Sequence, residues 1–345
     1  SDALASTHNE LGDRDSAIRC LERSRQLLED IVRDYPTDSL ALDNLARIQS
    51  NFAALMNNAG DWEAAVQSQQ TALVSKRQLA VSNPNVYNFQ LALANGHAEM
   101  GPILRRLGRD PEAIEQFQLA QNVYEQILTT LPEDGETLQK YILCLDGLIN
   151  VYRDQNQPRL AINLVNRQLR YQKRLNSLYP EFTAYQLQLA EIYHSRGGLI
   201  SDLGNPEDGL ASLQTGVEIM EQLQKLQPDD LKVRQSLNNQ RNTLGLHYLD
   251  AGQDLEAKGM FLQLVETMEQ LLKSQPDDVN QLRDLGGVLN NLALVAMKQR
   301  DHATARDFLY RAIEHQRRAL ELEPLNWDCR RYLKNHFDNL KTSGE

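Results

Sequence analysis

The sequence predicts an all-α solenoid of antiparallel helix pairs, and three observations predict it. Seven prolines, Pro36, Pro84, Pro132, Pro180, Pro228, Pro276 and Pro324, stand 48 residues apart with no insertion or deletion between them. A fixed period in the range of about 20–50 residues marks an array whose units bury their apolar faces against one another. A turn residue stands 24 residues before each proline: Gly12, Gly60, Gly108, Gly204 and Gly252, with Asn156 and Arg300 in the remaining two units. Between these punctuation marks, apolar residues recur at three- and four-residue steps, as at Leu285, Val288, Leu289 and Leu292, which is the stripe of an amphipathic helix.

Each unit therefore holds helix A, of about 20 residues, then a short turn, then helix B, of about the same length. The units are a truncated first one over 1–36, then 37–84, 85–132, 133–180, 181–228, 229–276 and 277–324, with a final capping helix over 325–342. The front half of a helix A is missing before residue 1, so the chain is expected to be a piece of a longer protein, and its compartment is left open. Helix A carries one apolar column at Leu45, Leu93, Tyr141, Leu189, Leu237, Leu285 and Leu333. A second follows at Phe52, Met100, Leu148, Arg196, Leu244, Leu292 and Leu340. Beside it stands a mostly small column, Ala53, Gly101, Ile149, Gly197, Gly245 and Ala293. At the turn, a residue just past a helix end takes positive φ, which suits glycine and asparagine and fits every unit but that of Arg300. Helix B opens on a small residue, Ala17, Ala65, Ala113, Ala161, Gly209, Ala257 or Ala305, as a close helix crossing requires. Its core columns are Leu21, Phe117, Val165, Leu213, Phe261 and Leu309, then Ile31, Leu79, Ile127, Leu175, Leu223 and Leu271. The proline ends it by barring a helical conformation at the residue before. Gly197-Gly198, next to Arg196, gives either close packing in a locally loose helix or a bend in the array with a partner's backbone lying on Gly198.

A formal net charge of −11 argues against nucleic acid, whose phosphates would repel the chain. No apolar run is long enough to cross a bilayer, so no membrane contact is expected of this chain. Cys20, Cys144 and Cys329 fall at different points of different units, so no disulfide is expected. The histidines, His8, His97, His194, His247, His302, His315 and His336, scatter over several repeat positions and form no cluster at metal-ligand spacing. No phosphate loop, zinc helix or kinase signature occurs, so no metal, cofactor or catalytic residue is expected. The carboxylate pairs Asp229-Asp230 and Asp277-Asp278 precede helix A, where they serve as caps.

The pattern resembles the tetratricopeptide repeat (TPR). Leu244, Gly245, Tyr248, Ala257 and Phe261 match its motif in one unit, and 12 residues separate the small residues of its two helices, as from Gly245 to Ala257, Gly101 to Ala113, Ala53 to Ala65 and Ala293 to Ala305. The family's unit has about 34 residues, so these units are longer. Adding about seven residues to each helix, close to two turns, returns the stripe to nearly the same face. The resemblance implies a right-handed superhelix whose concave helix-A face holds an extended peptide or partner segment. Carried onto this sequence, the groove comprises Arg47, Asn51, Asn58, Asn95, Arg105, Asp146, Asn150, Arg153, Glu191, His194, Asn239, Asn242, Asn290, Asn291, Asn335 and Asn339. Asn51, Asn291 and Asn339 share the column that forms asparagine ladders in some members, with Glu99, Gly147, Ser195 and Thr243 in the units between. The basic pair Arg105-Arg106 is the one place suited to a peptide carboxylate. The alternative reading of the asparagines is as polar residues on a wet helix face. The "LNN" and "PDD" phrasing at Leu289-Asn290-Asn291 and Pro276-Asp277-Asp278 resembles repeat regions attached to multidomain bacterial serine/threonine protein kinases. Two functions from different classes follow: a protein-binding scaffold, and a sensory module that closes around a small-molecule or peptide signal.

Overall fold

The computed structural model describes residues 14–343. Over that range the chain forms fourteen α-helices and no strand. They are α1 (Arg14–Asp34), α2 (Ser39–Asn58), α3 (Trp62–Ser82), α4 (Tyr87–Arg106), α5 (Asp110–Thr130), α6 (Gly135–Asp154) and α7 (Pro158–Leu178). Then follow α8 (Thr183–Asp202), α9 (Pro206–Leu226), α10 (Leu231–Asp250), α11 (Asp254–Ser274), α12 (Val279–Lys298), α13 (His302–Leu322) and α14 (Trp327–Thr342). Even-numbered helices are the A helices and odd-numbered ones the B helices. From α2 to α12 each A helix has 20 residues, and from α3 to α13 each B helix has 21, so each is about 30 Å long at 1.5 Å per residue. The fold is an all-α repeat solenoid. It divides into two compact units, one up to Tyr185 and one from Gln186 onward.

The A-to-B turn is set by one left-handed residue. Gly60 (φ 81°), Gly108 (70°), Asn156 (53°), Gly204 (85°), Gly252 (75°) and Arg300 (59°) all adopt positive φ. The sequence rule that exempted Arg300 is thus corrected: the backbone demands the conformation in every described unit, and Arg300 takes it despite its Cβ. The reason is the closure that follows. The next amide reaches back five residues, as Asp61 N–H does to Met56 O (3.0 Å) and Asp301 N–H to Ala296 O (2.9 Å), which satisfies carbonyls the helix end leaves unpaired. Gly12 lies outside the described residues.

The B-to-A turn ends on a cap. Asp38, Asp134, Asp230 and Asp278 accept from the first amides of α2, α6, α10 and α12, and Asn326 does the same for α14. Asp230 and Asp278 are therefore caps, as their place in the sequence predicts. Val86, before α4, makes no side-chain cap bond.

The small column works as the spacing predicts. Ala65, Ala113, Ala161, Ala257 and Ala305 are fully buried. Opposite them the helix-A glycines leave room for a ring. A Cβ on Gly101 would stand 2.4 Å from Phe117 Cζ, and one on Gly245 would stand 2.6 Å from Phe261 Cε1. At the α8–α9 crossing both partners are glycine: a Cβ on Gly197 would meet Leu213 Cγ at 2.5 Å and the backbone Gly209 O at 2.8 Å. Gly198 has open space around it, and α8 runs unbroken through both glycines. The side chain of Ala17 lies outside the described ones.

Both core columns of helix B are buried through most of their length, with Phe117, Val165, Leu213, Phe261 and Leu309 at 1% exposure or less. Ile31 departs from its column and is 43% exposed, because no A helix precedes α1 among the described residues. In the same way Leu333 and Leu340 of α14 are only half-buried, since among the described residues no B helix follows α14 to pack on that face. Lys334 and Lys341 are exposed there, where the other units carry mostly small residues, and they keep the face wet. All three cysteines are free thiols.

Candidate functional site

The predicted groove residues all lie on A helices. None of them is buried. Arg47, Asn51, Asn58, Asp146, Arg153, Glu191, Asn239 and Asn335 are exposed; Asn95, Arg105, Asn150, His194, Asn242, Asn290, Asn291 and Asn339 are half-buried.

The structure joins several of them across neighbouring A helices in a constant register of 49 residues. Asn291 Nδ2 donates to Asn242 Oδ1 at 3.0 Å, and Asn339 Nδ2 donates to Asn290 Oδ1 at 2.8 Å. Arg105 pairs with Asp154 in the same register, Arg106 Nη1 donates to Asn57 Oδ1 at 2.9 Å, and Lys298 Nζ donates to Leu249 O at 2.5 Å. The period is 48 residues, so neighbouring A helices meet one residue out of step. The basic pair Arg105-Arg106 is thereby engaged within the chain. Asn95 accepts from the buried Tyr124 hydroxyl at 2.7 Å, and Asn150 donates to Asp146 at 3.2 Å. An amide has two N–H donors and a carbonyl with two lone pairs, so an asparagine in one of these pairs keeps capacity for a further partner.

Residues that sequence reasoning passed over lie beneath this face. Tyr141 donates to Glu125 Oε1 at 2.5 Å, and Arg167 Nη1 donates to the same oxygen at 2.9 Å. Burial and the Glu125 carboxylate push the Tyr141 phenol far above its ordinary value, so it stays a donor. The Tyr124 and Tyr141 rings lie 5.8 Å apart, and Tyr141 and Tyr171 lie 4.9 Å apart. Tyr87 donates to Asp134 Oδ2 at 2.6 Å and links the cap of α6 to the start of α4. These bonds fix the spacing of the helices that carry the face. Lys76, on α3, is 8% exposed. Its signal in the sequence is a charge in the B-helix column otherwise held by Leu28, Tyr124, Gln172, Met220, Met268 and Gln316. Among the described residues no group of histidine, cysteine or acidic side chains could hold a metal ion, and no helix is long and apolar enough to cross a membrane.

Residues 286–325, from within α12 through α13, match the family model of a tetratricopeptide repeat. Solved structures agree over nearly the whole length. A signal-transduction ATPase with numerous domains and a tetratricopeptide-repeat sensor, from Pyrococcus horikoshii, matches 96% of this chain at 12% identity and a TM-score of 0.53. The chain spans 48% of that protein's length. The C-terminal part of a TPR repeat-containing protein from Cytophaga hutchinsonii matches 96% of this chain and 99% of its own at 13% identity and a TM-score of 0.51.

One unit of the chain matches a tetratricopeptide repeat, and the fold is that of the tetratricopeptide-repeat solenoids.

The nuclear import adaptor Nro1 of S. pombe shares the fold too, at 12% identity and a TM-score of 0.57, over 86% of this chain and 99% of its own. No curated protein sequence matches the chain. Relative to a repeat of about 34 residues, the added length lies in the helices: the turns between A and B span three residues.

Proposed function

We propose that this array is a non-enzymatic scaffold that binds an extended segment of a protein partner along its A-helix face. The observation that supports the reading is the make-up of that face. There half-buried asparagine amides pair across neighbouring A helices at a constant register, and amides pair with a main chain whatever its side chains. The nuclear import adaptor Nro1, which has a similar fold, fits the same class of function. The test is to titrate peptides from candidate partners against the whole chain and against Asn239→Ala, Asn242→Ala and Asn291→Ala. Affinity should fall several-fold in at least one of these variants, with circular dichroism and the melting temperature confirming the fold. Equal affinity throughout the panel would remove the A-helix face as the binding surface.

A second reading is favoured by one comparison. The TPR sensor of the Pyrococcus horikoshii protein is part of a longer signalling ATPase. By analogy this chain is a sensory or recruiting module of a multidomain protein, a serine/threonine kinase among the candidates, that answers a small-molecule or peptide signal. A melting-temperature screen against small molecules tests it, and the coding sequence upstream of residue 1 decides the parent. A flat screen together with an upstream sequence free of any signalling domain would dismiss it.

A further inference from the structure

Helix B sends one column of side chains into the seam between its own A helix and the next. Tyr124 shows the geometry: it leaves α5, donates to Asn95 on α4 and packs on Tyr141 of α6 with ring centroids 5.8 Å apart. Lys76 of α3 occupies the same column one unit earlier, in the seam between α2 and α4. A buried lysine needs room and an acceptor. Room comes from Gly96 of α4: a Cβ there would stand 3.0 Å from Lys76 Cδ and 3.2 Å from its Nζ. The next unit has Cys144 in place of Gly96 and Tyr124 in place of Lys76, so the glycine and the lysine come as a pair.

The acceptor is missing. Lys76 is 8% exposed, yet its ammonium has neither a hydrogen-bond nor an ion-pair partner among the described residues. Burial pulls its pKa down, while the charges of Glu99 on α4 and Asp43 on α2 pull it up without touching it, and burial prevails. Glu99 accepts one bond, from Gln69 Nε2 at 3.1 Å, and is otherwise exposed. Glu99 shares its column with Asn51, Asn291 and Asn339. The stem is buried while the ammonium reaches the mouth of the seam with no protein acceptor, and an ammonium set there beside two carboxylates has a definite preference in ligands. An anion meets Glu99 and Asp43 and is repelled. A cation meets Lys76. A neutral group with a donor and an acceptor side by side satisfies both signs, and the peptide unit is that group.

We propose that the α2–α4 seam docks the main chain of an extended peptide, with Lys76 Nζ donating to a peptide carbonyl and the Glu99 carboxylate accepting from a peptide N–H. This rests on the A-helix-face reading above and assigns one seam within it. The probe is a set of end-capped peptides selected from random-sequence display on the whole chain, whose affinities are measured for the wild type and for Lys76→Met. Methionine keeps the length of the stem and removes the donor. The variant should fold as judged by circular dichroism and bind about tenfold more weakly. A scan in which each peptide amide is replaced by an ester gives the main-chain readout: one ester should weaken binding to the wild type and have no effect on Lys76→Met. Should Lys76→Met fail to fold, pulse acetylation of the wild type takes its place, and peptide should slow acetylation at Lys76 but leave other lysines unchanged. Peptides that bind wild type and Lys76→Met equally, or that leave Lys76 acetylation untouched, would overturn the seam and leave the A-helix face standing. If display yields no binder, both readings fall.

Discussion

At the scale of single residues, the turn position and the glycine positions separate cleanly by what surrounds them. Arg300 holds φ 59°, a conformation that costs a side-chain-bearing residue about 1 kcal/mol and glycine almost nothing. Arg300→Gly is therefore expected to raise the melting temperature. Gly198 has nothing within reach of a Cβ and sits inside α8, so Gly198→Ala should stabilise by roughly 0.5–1 kcal/mol. Gly101→Ala should do the reverse, by about 1–3 kcal/mol, because the Phe117 ring already fills the place of the methyl. Urea titration of the three variants checks the order of signs. His336 supplies a pH dependence. It is 1% exposed, its Nδ1 lies 3.2 Å from Asn290 Oδ1, and its Nε2 has no partner. Burial pushes its pKa down to about 4. Its folded value thus lies below its unfolded one, so between them the unfolded chain binds the extra proton. The stability linked to His336 is whole above about pH 6.5, falls by up to about 1.4 kcal/mol per pH unit below that, and levels off once the folded value is passed. His97 and His315 are shifted in the same direction, burial again being the main cause, and share the acid limb. Denaturant midpoints from pH 4 to 7 should show a shallower slope in His336→Leu; an unchanged slope would assign the limb to other groups.

At the scale of the helix, what the sequence makes legible is what local chemistry dictates. A proline and a left-handed residue at fixed offsets bracket each helix from α2 to α13, and so the helix ends are legible in the sequence. The caps were legible for the same reason at Asp230 and Asp278. Val86 is the exception that permits a test, for α4 begins without a side-chain acceptor where α2, α6, α10 and α12 have an aspartate. Val86→Asp should gain about 1 kcal/mol, and Asp278→Ala should lose a similar amount. Amide hydrogen exchange in the first turns of α4 and α12 would localise both effects. What the sequence hid is lateral. Nothing in the word "LNN" says that Asn290 will meet Asn339, because that bond depends on how neighbouring A helices are offset, and the offset is set by side-chain packing many residues away. The same holds for Arg105 and Arg106, whose basic character suggested a ligand and whose partners in the fold are Asp154 and Asn57. Charge in a buried column, as at Lys76, was the one signal of this kind that the repeat alignment could have exposed.

At the scale of the molecule, a repeat array has no single core to lose. Each helix pair gains its stability from its neighbours, so free energy is local and unfolding need not be all-or-none. The two compact units make this testable. Phe117 of the first is 1% exposed and packs against both Gly101 and Gly147, and Phe261 of the second is fully buried against Gly245. Truncating either ring to alanine should cost about 3–5 kcal/mol in its own surroundings. In a single cooperative domain that loss would appear everywhere at once. In a nearest-neighbour array, Phe117→Ala should speed hydrogen exchange through α4, α5 and α6 and leave α12 and α13 as protected as in the wild type, while Phe261→Ala should do the opposite. A uniform loss of protection in both variants would mean that the two units unfold together, and that a partner bound on one unit would stabilise the other to the same extent.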